Sequence, residues 1–343
     1  MPLIHFTDKG LYCPEGDFYI DPWRPVQRAI ITHAHSDHAR WGSAHYLSHH
    51  QSRGMLQQRL GHISLQTVDW QQPLRMGSVT VQLHPAGHIA GSSMVQVSGA
   101  TETWLITGDY KLEDDGMSTA WQPVRCSHMV TECTFGLPIY QWQPQHLIYK
   151  RMQQWVLANQ AQGFTSVFYA YSLGKAQRIM QALATLGAPL WVHGAIANAN
   201  EALAGDGFVL PAWQRITAAT TRQQLQGSIV IAPPSAAGSP WLKRMGKYRD
   251  ASCSGWMQVR GNKRRHNVDE GFVLSDHADW PSLLQAVAAC GAEYVYSTHG
   301  FTDTFSRYLR EEKGLWSQAV STQYGSDEED EPASTTDNTE GTP

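Results

Sequence analysis

The stretch "THAHSDH" at positions 32–38 constrains this chain more than any other. His33, His35, Asp37 and His38 fall within six consecutive positions. Packing imidazoles and a carboxylate this densely is costly unless a cation holds them together, and they are ligand types that zinc and similar divalent ions take. The apolar run "RAIIT" leads into them and reads as a strand. A turn at its end aims His33 and His35 at one ion, and Asp37 and His38 at a second. His88 in "AGHIAGS" and Asp109 in "TGDY" supply further donors. Asp109 suits a carboxylate set between two ions, a frequent arrangement in two-metal phosphatases and nucleases, and His299 in "THG" completes the second set. A lone histidine is ordinarily structural or exposed. His45, His49, His50, His62 and His128, among others outside these motifs, are read in that way.

The 343 residues suffice for one large domain or two ordinary ones. No apolar run approaches the ~18 residues of a membrane span. The opening "MPLIHFTDKG" lacks the basic-then-apolar pattern of a secretory signal, so no membrane association is expected. Five cysteines with no Cys-x-x-Cys pair argue against a disulfide framework or a cysteine zinc knuckle, and point to a cytoplasmic home. The net charge of −4 is concentrated in the C-terminal tail. Residues 325–343 carry seven acidic side chains and no large apolar ones, which leaves 26 basic against 23 acidic residues elsewhere. The tail is expected to be disordered.

In the first third, short apolar runs each end at a polar residue of interest: "FYI" at Asp21, "RAIIT" at His33, "VTVQLHPA" near His88, "TWLIT" near Asp109. That is a β-rich scaffold presenting chemistry on its loops. From 141 to 266 helical and strand patterns alternate, with Ser172 placed to cap the helix "SLGKAQRIMQALATLG". The β-type pattern then returns around His277 and His299. The expected architecture is α/β: one domain, 1–140 and 267–324, interrupted by a smaller α/β domain at 141–266.

"HAHSDH", "AGHIAGS" and "TGDY" together resemble the metallo-β-lactamase fold, an αββα sandwich with metals at one edge. "TECTFG" (131–136), "LSDHAD" (274–279) and "THG" (298–300) are similar to three further motifs of the β-CASP nucleases, whose inserted domain "VFYAYSLGKAQRIMQAL" also resembles. The opening "TDKGLYCPEGDFYIDPWRPVQRAIITHAHSDHAR" (7–40) resembles more particularly the bacterial DNA ligase-associated exonucleases. The resemblance implies that His33, His35 and His88 hold one metal, that Asp37, His38 and His299 hold another, and that Asp109 bridges them. It implies that Asp21 orders the histidines from behind by hydrogen bonds, and that Glu132 and His277 lie outside the metal ligands. Asp37, Glu132 and His277 are then the catalytic residues. Asp37 orients the attacking water. His277 protonates the leaving 3′ oxygen, its charged form favoured by Glu132. Zinc is the first choice of ion and manganese the second.

The expected activity is a metal-dependent DNA exonuclease acting on single strands or ends in DNA repair. A DNA ligase and a helicase are partners implied by the resemblance. Two alternatives remain: an RNA-processing ribonuclease of the same group, and a thioester or lactone hydrolase on the same fold. A metal-free scaffold subunit would be expected to have lost ligands, and every position here is filled. Candidate phosphate contacts are Ser172 and Lys175 in "YSLGK", Lys243 and Arg244 in "WLKRMGKYR", and Arg264 and Arg265 in "RGNKRRHN". Trp241 and Trp256 among them are candidates for stacking on unpaired bases. No motif for sequence-specific recognition is present.

Overall fold

A computed structural model describes residues 2–259, 261 and 267–323. The acidic tail and the basic positions Arg264 and Arg265 lie outside the described residues. The fold is mixed α/β with three sheets, and the chain divides into two compact units. One unit is built from the chain up to Gln143, from Glu201–Val209 and from the stretch beginning at Ser275. The other is built from Pro144–Asn200 and Leu210–Leu274.

The first unit holds two sheets. One is a run of strands in chain order, β1 (His5–Thr7), β2 (Gly10–Cys13), β3 (Phe18–Ile20), β4 (Arg28–Ile30), β5 (His45–His49) and β6 (Leu65–Val68). The pairs β1/β2 and β2/β3 are antiparallel, and from β3 to β6 every neighbour is parallel. The second sheet contains β7 (Leu74–Met76), β8 (Val79–Pro85), β9 (Ser93–Ser98), β10 (Thr103–Ile106) and β11 (His128–Cys133). Beyond the intervening segment, Tyr294–Gly300 (β18) pairs parallel with β11, and Trp316–Ala319 (β19) pairs parallel with β18. The alternation of β8 is strict, with Val79, Val81, Leu83 and Pro85 buried and the residues between them partly exposed, as a half-buried strand requires.

Leu11, Phe18, Ile20, Ile30 and Leu47 of the first sheet share one core with Val81, Leu83, Val95, Val97, Trp104 and Ile106 of the second. The opposite face of the second sheet, with Met94, Leu105, Met129 and Val295, packs on helices Trp280–Cys290 and Thr302–Lys313 through Leu283, Val287, Phe305 and Leu309. Asp279 caps the first of these helices, accepting a hydrogen bond from Ser282 N at 3.1 Å.

The second unit is a six-stranded, wholly parallel sheet. Its strands are β12 (Thr165–Tyr169), β13 (Leu190–Val192), β14 (Gln214–Arg215), β15 (Ile229–Ala232), β16 (Tyr248–Cys253) and β17 (Glu270–Phe272), ordered β14-β13-β15-β12-β16-β17. Apolar clusters cover both faces, as parallel sheets need. Because β17 pairs with β16, this unit runs on to Leu274, past the boundary at 266 read from the sequence. The helix is Lys175–Ala184, and its N-cap position falls on Gly174, whose φ of 93° suits glycine, rather than on Ser172. Among the described residues no helix is long and apolar enough to cross a membrane.

All five cysteines are buried, and none is in a disulfide. Burial, assisted by the neighbouring Cys290 sulfur, pushes the Cys126 thiol up to about 12, and burial also raises Cys13, Cys133 and Cys290. A thiolate is the reactive form. The folded protein should therefore titrate no thiol with Ellman's reagent at pH 8 and all five after denaturation. Rapid labelling of native protein would contradict this packing.

Candidate metal centre

Asp21, at the end of β3, organises the loop that follows β4. Its Oδ1 accepts from Thr32 N at 2.7 Å and its Oδ2 from Thr32 Oγ1 at 2.5 Å. Nδ1 of His38 lies 2.7 Å from the same Oδ2. Asp21 is 2% exposed and sits at φ 43°, a conformation that non-glycine residues adopt only when their surroundings hold them there. Opposite it, Gly108 (φ 54°) passes so close that an added Cβ would lie 2.7 Å from Thr32 Oγ1. Glycine at 108 thus lets Asp109 arrive beside the loop.

Four donor residues form one group: His33, His35, His88 and Asp109 each bring one ligand atom to within 4.8 Å of the others. Asp37, His38 and His299 form a second group by the same measure, and Asp109, Glu132 and His277 a third. Oδ2 of Asp109 lies 3.3 Å from His33 Nε2, 3.6 Å from His38 Nε2 and 3.7 Å from His88 Nε2. Nε2 of His88 is 3.1 Å from His35 Nδ1. Asp37 Oδ2 is 3.3 Å from His38 Nε2 and 3.9 Å from His299 Nε2. The His38 and His299 rings stack at 5.2 Å.

The tautomers of these rings follow from their outer partners. The carbonyl of Asp276 can only accept, so His88 donates to it from Nδ1 at 2.8 Å. The single hydroxyl proton of Thr32 goes to Asp21, so Thr32 Oγ1 accepts from His33 Nδ1 at 3.0 Å. Likewise Thr298 Oγ1 donates to the Thr131 carbonyl at 3.1 Å and accepts from His299 Nδ1 at 3.3 Å. His38 donates from Nδ1 to Asp21. In the neutral rings each Nε2 therefore turns a lone pair inward, toward the Asp37 and Asp109 carboxylates. His33 Nε2 and both oxygens of Asp109 make no hydrogen bond. Buried acceptors facing acceptors repel one another, and a cation is the group that reconciles them. The donor set fits divalent metal ions.

The carboxylates and imidazoles also shift one another's ionisation. Burial disfavours a charged His38, yet Asp37, Asp109 and Asp21 raise it well above the ordinary histidine value. Burial opposes ionisation of Asp109, yet His38, His277 and His33 hold it well below the usual carboxylate range. Burial, with His277, His33 and His35 nearby, lowers His88 well below the histidine value and keeps it a neutral donor. Burial lowers His299 too.

Glu132 and His277 adjoin these groups. Nδ1 of His277 is 3.0 Å from each oxygen of Glu132. Tyr110 N and Thr134 Oγ1 donate to the same carboxylate at 3.0 and 2.6 Å. Trp142 Nε1 donates to the His277 carbonyl at 3.0 Å.

Every metal-ligand position named from the sequence lies in this cluster. Four of the substrate positions are described, all in the second unit. Lys175 is 1% exposed, with Nζ 5.1 Å from the Tyr171 ring, and Ser172 is also buried. Lys243 and Arg244 are exposed on the second unit, where Arg244 donates to the Thr217 carbonyl at 3.1 Å. Trp241 and Trp256 are partly buried, and Trp241 packs against the core of that unit. Thr32, Thr298 and the Asp276 carbonyl were not foreseen. The two threonines adjoin His33 and His299 in sequence, which was the available signal; a backbone carbonyl leaves none.

No family model matches the chain. It is similar to a "Probable DNA ligase" from Opitutus terrae, 30% identical over 323 residues, which is 93% of this chain and 31% of that protein. It is 28% identical over 121 residues to "Cleavage and polyadenylation specificity factor subunit 3-I" of Arabidopsis thaliana, covering 34% of this chain and 17% of that one. It is 30% identical over 118 residues to "Endoribonuclease YSH1" of Eremothecium gossypii, covering 34% of this chain and 15% of that one. The chain thus spans less than a third of the length of these curated relatives. A solved protein of unknown function from Enterococcus faecalis V583 superposes with a TM-score of 0.57 at 10% identity, over 87% of this chain and 80% of that one. That is a likeness of fold alone.

Removing the Asp21 carboxylate releases both Thr32 and His38. Asp21→Ala should weaken metal binding by about 10–100-fold, the usual effect of losing a group that orients a ligand. Metal titration by calorimetry checks it, and unchanged affinity would remove Asp21 from this role.

Proposed function

We propose that this chain is a two-metal hydrolytic nuclease of the metallo-β-lactamase fold with a β-CASP-like inserted domain. Its substrate is DNA, taken as single strands or ends and degraded as an exonuclease, in repair and in company with a DNA ligase. The observation that carries the reading is the set of inward-turned imidazole lone pairs around the Asp109 carboxylate. Similarity to a probable DNA ligase over 93% of the chain supports the DNA assignment. Buried cysteines outside any disulfide are compatible with a cytoplasmic setting.

His33, His35 and His88 would hold one ion and Asp37, His38 and His299 another, with Asp109 between them. Zinc suits these donors first and manganese second. Bound there, the ions supply Lewis acidity toward a phosphoryl group and lower the pKa of water. The chain's own side chains do the rest. Asp37 orients the attacking water. His277, held at Nδ1 by Glu132, presents a proton to the leaving 3′ oxygen as the phosphorus–oxygen bond breaks. Lys243 and Arg244 contact backbone phosphates, which makes binding salt-dependent. Ser172 and Lys175 keep a smaller part in this reading, since both are buried.

A second reading, an RNA-processing enzyme, is favoured by the similarity to a protein named an endoribonuclease over a third of the chain. End-labelled single-stranded DNA and its RNA counterpart, each incubated with metal-reconstituted protein and with Asp37→Ala, separate the two. Stepwise loss of DNA nucleotides, absent in the variant, is expected. Preferential cleavage of RNA would move the chain to the second reading, and cleavage of neither would direct attention to thioesters and lactones.

His277→Ala should retain the full metal content and lose about 10²–10⁴-fold in turnover, the range typical of a general acid. Loss of a metal ion in that variant would assign His277 to the ligands instead.

A further inference from the structure

His49, His50 and Asp69 form a further potential ligand group that shares no residue with the candidate centre. Each brings one donor atom to within 4.8 Å of the others. Topology explains how residues so distant in sequence meet. Strands β5 and β6 are parallel neighbours, and His49 pairs in register with Val68. His50 and Asp69 are the next residues along each strand, so they leave the sheet side by side. Since β3, β4, β5 and β6 run parallel, Asp21, the His33–His38 loop and this pair all follow strand C-termini at one sheet edge. Ligands to open parallel sheets bind at such edges.

The group has the features of a built site. His49 is fully buried, and its Nε2 makes no hydrogen bond. Its ring is clamped in orientation, stacked on Trp70 at a centroid distance of 3.4 Å and against His50 at 4.1 Å. His50 Nδ1 lies 3.0 Å from Asp69 Oδ1, and these two side chains are 46% and 78% exposed, so the group is open to solvent. The segment is tied down beyond it, where Ser52 Oγ donates to the Gly91 carbonyl at 2.9 Å. The reading of His49 as a structural residue does not account for its buried ring nitrogen with nothing to bond.

We propose that His49, His50 and Asp69 form an ancillary divalent transition-metal site, with zinc as the ion that two imidazoles and one carboxylate favour. The three side chains leave a coordination position to water. Binding at His49 Nε2 places the ring proton on Nδ1 and gives up the long 3.3 Å contact from Gln51 N. The ion joins the C-terminal ends of β5 and β6, where the His50–Asp69 pair and the His49–Trp70 stack also meet.

Zinc bound per chain, measured by elemental analysis after equilibrium dialysis of the full-length protein, tests the proposal by difference. His50→Ala and Asp69→Asn should each hold one zinc fewer than the wild type, whatever the candidate centre itself holds, and both should keep wild-type nuclease activity. His62→Ala, which alters an exposed histidine outside the group, should retain the wild-type zinc content. Equal zinc in all four proteins would overturn the site. So would an equal loss in His62→Ala, because the ion would then be bound non-specifically by surface histidines.

Discussion

The Asp21 carboxylate is the interaction on which the candidate centre depends. It receives the Thr32 amide, the Thr32 hydroxyl and the His38 ring. Through the hydroxyl it also sets the proton of His33, since Thr32 has only one hydrogen to give. A single buried anion thereby fixes the orientation and tautomer of two rings on one loop. Its backbone is held at φ 43° by the strand pairing around it, with Asp21 N donating to the Ile30 carbonyl at 2.9 Å. Such a conformation costs of order 1–3 kcal/mol and persists where the fold over-determines it. His299, at φ 56°, is the second non-glycine residue of the cluster held in this way.

The sheets explain why so many donors converge. In the first sheet, four consecutive parallel strands end at the same edge, so the residue after each strand is delivered to one rim. In the second sheet, β10 and β11 are parallel, and β18 joins them although about half the chain separates it from β11 in sequence. Asp109, Glu132 and His299 therefore come from the ends of three adjacent strands. The shared core of Ile20, Ile30, Val95 and Ile106 holds the two rims together. The apolar interior thus fixes the placement of the polar cluster.

How much of this was legible in sequence depended on whether a residue acts through its own side chain. His33, His35, Asp37 and His38 could be read from their spacing because six residues of loop cannot scatter them far. His88, Asp109 and His299 could be read because each follows an apolar run that becomes a strand. The Asp276 carbonyl was invisible, since any residue there has one. The His49–His50–Asp69 group was missed because its assembly rests on strand register, which a single sequence does not reveal. The burial of Lys175 was hidden for a different reason. A lysine at a helix N-terminus looks solvent-facing, yet this one is buried over the Tyr171 ring. Boundaries shifted where pairing, rather than composition, ends a unit, as β17 does by extending the second unit to Leu274.

The order of dependence matters for how such a centre stays selective. The outer acceptors, namely Asp21, Thr32, the Asp276 carbonyl and Thr298, are set by backbone and strand pairing before any ion binds. They determine which nitrogen of each ring points inward. The inward carboxylates Asp37 and Asp109, with Asp21 behind, favour a proton on His38, whose pKa burial alone would have lowered. A bound cation would take the place of that proton among the same side chains. The histidines are already oriented by these outer partners, and preorganisation of this kind would favour a bound divalent ion.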